Sequence, residues 1–472
     1  MSNTAICPNV GKSNILALFA CLEDVEGVAQ KPTAADFILP VGDVTLSQEN
    51  ESEDSKEMSP SLNVTARFQN ATPEGKASFP MYIRIPEDGG KMQGHNVLLA
   101  MMGSVQEPGT AKATLKDTTL DASATTLMLG AVTAGRFPPR GIVTVDAEDM
   151  LYTGVTETEG AITALTGLVR GYNGTTAAEH SADAVVTLKS RTYFQETCRH
   201  SLTLWAQFDH LVKFGTGARV TNTSVNLSNT NGQELSFDLS FERMGFAGRS
   251  FLSSAPDGAK LTVKDKNDMP CDGAYTEGAY IKNTTRDDDN SGAGYKIIAV
   301  GKDSTITLAT APTGWQADDQ IDAWLPAAEP VGQALESRTA RVFVDGKVGT
   351  LREGSISVST PVERKLEIGA EYPTIAVDTK RQMTITLNTF FRAEDAKELG
   401  RGYQGYEIGV TTTFGKDEGQ RVSFHAPRVK VNTPTIGTDG AVAPHAGAWI
   451  ETAGQLKIRQ PDPCRTPRGC VD

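Results

Sequence analysis

The chain has no excess of basic residues, no C-x-x-C pair and no long apolar run, and each lack removes a class of function. Lysine and arginine number 45 against 58 aspartates and glutamates, a formal net charge of -13. A protein that grips nucleic acid by neutralising phosphates needs the opposite balance. The six cysteines, Cys7, Cys21, Cys198, Cys271, Cys464 and Cys470, form no C-x-x-C unit. Zinc and redox spacings are therefore missing, and free thiols are expected, with closure of the loop from Cys464 to Cys470 reserved for oxidising conditions. No stretch reaches the ~18 apolar residues of a membrane-spanning helix, so no membrane partner is expected. The run NILALFACL at 14–22 is followed at once by EDVE and lacks a small-residue cleavage site. It reads as a short helix or strand rather than a signal peptide.

Catalytic patterns are also missing. There is no G-x-S-x-G and no H-E-x-x-H, and the residues Gly11, Lys12 and Ser13 follow Ile6 where a phosphate-binding loop needs glycine. Asp287, Asp289, Ser291 and Gly292 begin like a calcium loop, but its twelfth position is Ile298 instead of a bidentate glutamate. The histidines at 95, 180, 200, 210, 425 and 445 are dispersed. The expectation is no enzyme, no metal and no cofactor.

What is present is glycine, 45 residues of it, abundant threonine, and segment after segment in which apolar and polar residues alternate. That pattern belongs to a mostly β protein built from half-buried antiparallel strands. The stretch from 34 to 103 shows it best, with strand-like segments at 37–46 and 76–85 bracketing a polar span and a short apolar helix at His95 to Met102 following. A loop that long is suited to contact with something outside its own domain. Its acidic residues Glu49, Glu51, Glu53, Asp54 and Glu57 are candidate contact residues.

Composition divides the rest. Residues 1–30 read as an N-terminal arm, and 31–109 with 191–254 as a first β core. Short glycine-punctuated strands at 110–190 and 255–327 read as two inserted, related β-modules. Residues 328–431 read as a second core repeating the order of the first, with a short helix at 395–399, and 432–472 as an extended tail.

The segments EDVEGVAQKPTAADFILPVGDVTL, SFPMYIRIP with NVLLAMMGS, RVTNTSVNLSNTNGQELSFDLSFERMG and GKVGTLREGSISVSTPVERKLEIGAEYPTIAVDTKRQMTITLNTFFR, closed by FHAPRVKV, carry a resemblance. In this order they resemble the major tail tube proteins of long-tailed (siphovirus-type) bacteriophages. The insert containing GIVTVDAEDMLYTG and LTGLVRGYNGTTAAEHSADA resembles a small module found in assorted phage tail proteins.

The resemblance implies two tail-tube-like antiparallel β-sandwich cores, each with a short flanking helix, that form rings stacked into a non-contractile tube. With two cores per chain, trimeric pseudo-hexameric rings are favoured, the hexamer being the other possibility. It further implies a virion location, assembly in the bacterial cytoplasm, and tape measure, tail terminator and tail-tip proteins as partners. Double-stranded DNA would pass through without binding, and an acidic bore would repel its phosphates within about 8 Å at physiological salt. The five acidic residues above would then be inter-ring or bore contacts, and the modules decorations of the outer wall. The alternative is a secreted or surface-displayed adhesin or carbohydrate-binding protein in which Tyr152, Tyr172, Trp315 and Trp324 stack on sugars.

Overall fold

The structure is a computed structural model that describes residues 15–451 apart from 58–65, 87–89, 107–112, 118, 134–136, 138–140, 173, 189–191, 196–198, 228–231, 338–339, 345–346, 349–352, 391–403, 406, 416–421, 432–434 and 437–443. The described residues are mostly strand with one α-helix, as the alternating pattern requires. The expected helix at 395–399 lies outside them.

The first core is made of β1 (Ile15–Leu22), β2 (Thr45–Ser47), the hairpin β3 (Ser52–Asp54) and β4 (Arg67–Gln69), β5 (Gly75–Tyr82), α1 (His95–Met102), β6 (Leu202–Phe208), β7 (Leu211–Leu227), β8 (Glu234–Phe241) and β9 (Arg243–Ala247). The second contains β10 (Arg341–Val344), β11 (Glu353–Ser359), the hairpin β12 (Val362–Lys365) and β13 (Ile375–Asp378), β14 (Gln382–Phe390), β15 (Glu407–Phe414), β16 (Val422–Val431), β17 (Thr435–Ile436) and β18 (Pro444–Glu451).

The antiparallel pairings run β1-β6-β7-β8-β5-β2 in the first core. In the second they run β10-β15-β16-β18-β14-β11, the same order. The two sets are joined edge to edge where β7 pairs β11, from Asn222 opposite Ser359 to Leu227 opposite Gly354. All of these strands therefore belong to one continuous sheet.

Two expectations change here. The segment at 15–22 is a core strand, since leaving it as an arm would strand the edge of β6. Residues 444–451 are likewise no tail, because β18 pairs β14 across eight positions, from Met383 opposite Glu451 to Phe390 opposite Pro444. Small residues such as Ala446, Gly447 and Ala448 hide the strand in the sequence.

One face of the sheet packs on α1. In β5, Ala77, Phe79 and Met81 are buried while Lys76, Ser78, Pro80 and Tyr82 turn outward, the period of two of a half-buried strand. The same core takes in Val97, Leu98 and Met101 of the helix, Phe237 of β8, and Ile356, Ile385 and Val429 of the second core. Gly94 begins α1 at φ 73° against Met81, where a Cβ would meet the methionine methyl. The open C-terminal carbonyl of Met101 accepts a 2.8 Å bond from Arg381 of the second core, a cation placed where the helix dipole favours it.

Strand β1 does not alternate, since Leu18, Phe19, Ala20 and Cys21 are all buried. The reason is that it is covered twice. Leu18 and Ala20 face the helix side, whereas Phe19 and Cys21 share a second core with Trp205, Phe214 and the apolar interior of the second module. Trp205 stacks on Phe214 at 4.4 Å and meets Tyr280 of that module edge-on at 6.0 Å.

That module is a closed six-stranded barrel over Ser250–Leu252, Lys260–Lys264, Tyr280–Asn283, Tyr295–Val300, Thr305–Leu308 and Gln320–Ala323. Its first strand falls inside the segment expected to be core. The first module has the same cycle of pairings over Ala113–Thr114, Thr126–Thr133, Gly141–Val145, Glu148–Tyr152 continued by Gly154–Thr158, Ala161–Thr166 and Val185–Thr187. A bridge from Leu115 to Leu129 completes the cycle. Asp183 and Asp318 take the same left-handed turn at φ 64° and 65° before the last strand of each, a conformation aspartate tolerates. The first module has its own core and joins the rest through a two-stranded stem, Gly103–Gln106 paired with Thr192–Gln195.

Candidate assembly surfaces

Between β2 and β5 the chain leaves the sheet as the hairpin β3–β4. Asp54 lies opposite Arg67, Glu53 opposite Phe68 and Ser52 opposite Gln69, so the hairpin presents an ionic face and a face with an exposed phenyl ring. Asp54 accepts a 2.8 Å bond from Arg67, and Glu53 pairs with Lys56 at 2.8 Å. Both pairs are solvent-exposed and add little stability. Glu49 and Glu51 lie on the approach to the hairpin, Glu53 and Asp54 on its first strand and Glu57 beyond it, all exposed. None of the five is on the face of the large sheet. The hairpin is pinned at its root, where Thr72 donates its N–H to Glu371 O at 2.9 Å and Gln48 donates to Pro73 O and Glu242 O. An isolated two-stranded ribbon has marginal stability in water.

The second hairpin, β12–β13, leaves the second core at the corresponding place, between β11 and β14. Leu366, Ile368, Ile375 and Val377 are exposed on it, a cluster of aliphatics that solvent does not favour. Its root is ionic and half-buried. Asp378 receives Arg199 at 2.9 Å and Arg219 at 3.2 Å, and Arg219 also pairs with Glu26 at 2.6 Å. Arg364 reaches back to Ser240 and to the carbonyl of Gly217. Burial pushes both Arg199 and Arg364 below the usual guanidinium range. Burial also raises the carboxyls of Glu23 and Glu242 beside them, with hydrogen bonds from Gly217 N–H and the Arg364 charge pulling the other way. Gly217, at φ 64° and packed on Glu242, lets the 17-residue strand β7 bend through this cluster.

The face of the shared sheet turned away from α1 forms a third surface. Thr45 and Ser47 of β2, Ser78 of β5, Asn222, Ser224 and Asn226 of β7, Ser355, Ser357 and Ser359 of β11, and Thr384 and Thr386 of β14 alternate with the core positions of their strands. Polar bonds run across it, from Asn222 to Asp238 at 3.0 Å, from Ser357 to Asn222 at 3.0 Å and between Thr45 and Ser78 at 2.9 Å. Hydroxyls and amides alternate on it with charged residues of both signs, Lys76 of β5, Glu234 and Asp238 of β8 and Glu353 of β11.

Other residues singled out in the sequence have ordinary places. Tyr152, Tyr172, Trp315 and Trp324 are all buried, so none offers a ring to a sugar. The turn at 287–292 is closed on itself by Asp289 accepting the N–H of Gly292 at 2.7 Å, while Asp288 holds Trp315 and Tyr295 at 2.7 and 2.9 Å. Among the described residues no group of carboxylates, histidines and cysteines is arranged to hold a metal. Cys21 and Cys271 are free thiols, and the other four cysteines lie outside the described residues.

One cluster carried no sequence signal because its members lie 22 to 32 positions apart. Glu148, buried in the first module, accepts Arg170 through two 2.8 Å bonds, the N–H groups of Gly171 and Ala178, and His180 at 2.9 Å. Burial opposes the charge, but Arg170, these N–H donors and His180 outweigh it and hold the carboxyl down at about 2. The cluster ties the loop at 170–180 to the barrel and leaves no open position for a substrate. Comparison of the chain with protein-family models and with curated proteins finds no match.

Proposed function

We propose that the chain is a structural subunit that assembles into rings stacked as the tail tube of a long-tailed, non-contractile bacteriophage. The observation that carries this reading is the repeated core: two sets of six strands in one order, joined edge to edge in a single sheet. A unit that already joins a copy of itself within one chain is suited to repeat the joint around a ring. Three chains would supply six cores, a trimer with pseudo-six-fold symmetry. The two hairpins leave equivalent points of the two cores, so a ring would carry six of them toward its neighbour. Their exposed Phe68, Leu366 and Ile368 would be buried on stacking.

The bore in this reading is lined by the hydroxyl and amide face of the sheet. DNA carries one charge per about 1.7 Å of axis, so a conduit must present no uncompensated cations along the path, and Lys76 shares this face with Glu234, Asp238 and Glu353. Thr, Ser and Asn side chains carry no net charge, so they release no counterions from the phosphates and add no salt-dependent grip on passing DNA. The acidic residues Glu49 to Glu57 then belong to the ring junction. Tape measure, terminator and tip proteins would be the partners and the virion the location. Among the alternatives, sugar binding loses its stacking residues, which are buried.

Negative-stain electron microscopy of the purified chain tests the reading. Rings or filaments with a central hole are expected, and monomers at every concentration and salt would overturn it.

A further inference from the structure

The junction between the two cores specifies its own repeat between chains. Superposing the pairing schemes matches β5 to β14 and β8 to β18, because Gly75 opposite Phe241 through Tyr82 opposite Glu234 corresponds to Met383 opposite Glu451 through Phe390 opposite Pro444. Thr45, Leu46 and Ser47 of β2 then correspond to Ser355, Ile356 and Ser357 of β11, since the first set lies opposite Ser78, Ala77 and Lys76 and the second opposite Thr386, Ile385 and Thr384. Leu46 and Ile356 are both buried between outward-facing hydroxyls.

On the other partner, Arg219 and Val220 of β7 correspond to Lys430 and Val431 of β16. Ser224 and Val225 correspond to Thr435 and Ile436 of β17, through their partners Ser236 and Leu235 on β8 and Ala446 and His445 on β18. The side chains agree in kind at each of the four positions.

Within the chain, β11 occupies the edge of β7 just beyond the end of β6, with Ser357 opposite Ser224 and Ile356 opposite Val225. The matching edge of β16–β17, just beyond the end of β15, has no partner strand among the described residues, and neither has the outer edge of β2. One chain therefore presents both halves of a joint of which it already contains a complete example. Such exposed edges are liabilities unless something covers them.

We propose that β2 of one chain adds to the edge of β17 of a second copy, with Leu46 opposite Ile436 and Ser47 opposite Thr435. The contact is heterologous, head to tail, and closes into a ring when the rotation per core divides the circle. It rests on the ring reading above and names the strands that make the ring.

The test is a pair of engineered cysteines. Directly opposed residues of antiparallel strands have Cβ atoms about 4.5–5.5 Å apart, near enough for a disulfide with slight adjustment. Ser47→Cys combined with Thr435→Cys should convert monomer under oxidation into covalent species that stop at a closed trimer. A mixture of the two single variants should stop at dimers. Ser224→Cys with Ser357→Cys, the intrachain equivalent, should close within one chain and serves as the control for geometry.

Rings seen by microscopy without a 47–435 cross-link, while the control closes, would overturn the strand assignment and leave the ring reading standing. Efficient dimerisation of the Ser47→Cys variant alone would mean a two-fold contact and would overturn the head-to-tail arrangement. Monomers only, with no cross-link at any concentration, would overturn both.

Discussion

At the scale of single residues, the charged side chains that matter are the buried ones. Glu148 has a folded pKa near 2 against an unfolded value of about 4.3. A depressed carboxyl contributes stability that is full above the unfolded pKa and is lost as pH falls through the folded one. Roughly 3 kcal/mol of the first module's stability should therefore disappear between about pH 5 and pH 2, read as amide exchange confined to 113–188. Glu148→Ala should cost about 3–5 kcal/mol there, since it leaves Arg170 buried without its carboxylate; exchange unchanged by the substitution would refute the role. Trp205→Ala should cost a similar ~3–5 kcal/mol by opening a cavity between sheet and barrel, and calorimetry would show it. Neither residue stood out in the sequence. Trp205 sits in a run, LTLWAQF, whose both-sided burial cannot be told from one-sided burial by apolar content alone, and Glu148 finds its partners only once strands have paired.

At the scale of elements, the helix His95–Met102 and strands such as Gly75–Tyr82 were legible because period and burial coincide in them. Of the strand expected at 37–46 only two pieces form, 37–38 paired with β1 and 45–47 paired with β5. The strand expected at 76–85 is β5 followed by the short Arg84–Ile85, and the polar span between them carries the hairpin β3–β4. The strands at 15–22 and 444–451 were not legible as core, the first because both faces are covered and the second because its residues are small. The hairpins give the sharpest element-level prediction. Replacing residues 55–66 by a two-residue Gly-rich turn should leave melting of the subunit within about 0.5 kcal/mol, as surface changes usually do, while rings no longer stack. Ile368→Asp with Leu366→Asp should act in the same way, since both side chains are exposed in the single subunit. Sedimentation and microscopy would report it, and tubes of normal length from either variant would remove the hairpins from the stacking contact.

At the scale of the whole molecule, the repeated strand order was read from the sequence as a repeated succession of segments, but which strands meet between the cores could not be, since register depends on pairs more than a hundred residues apart. The first module hangs on a stem whose last pair is Gln106 opposite Thr192. Excising 107–191 and closing that pair with a tight turn should leave the remaining chain folded and able to assemble; aggregation of the excised chain would show that the module supports the core. The edge-to-edge joint of β7 and β11 also changes the kinetics of building any ring. Six separate cores would have to find one another in five bimolecular steps before the ring closed, each losing translational and rotational freedom at an estimated 4–15 kcal/mol. Tethering two cores in one chain makes every second joint unimolecular, at the millimolar effective concentrations of short connections. Nucleation then falls from sixth to third order in subunit concentration, so rings can begin at dilutions where a single-core subunit would stay free.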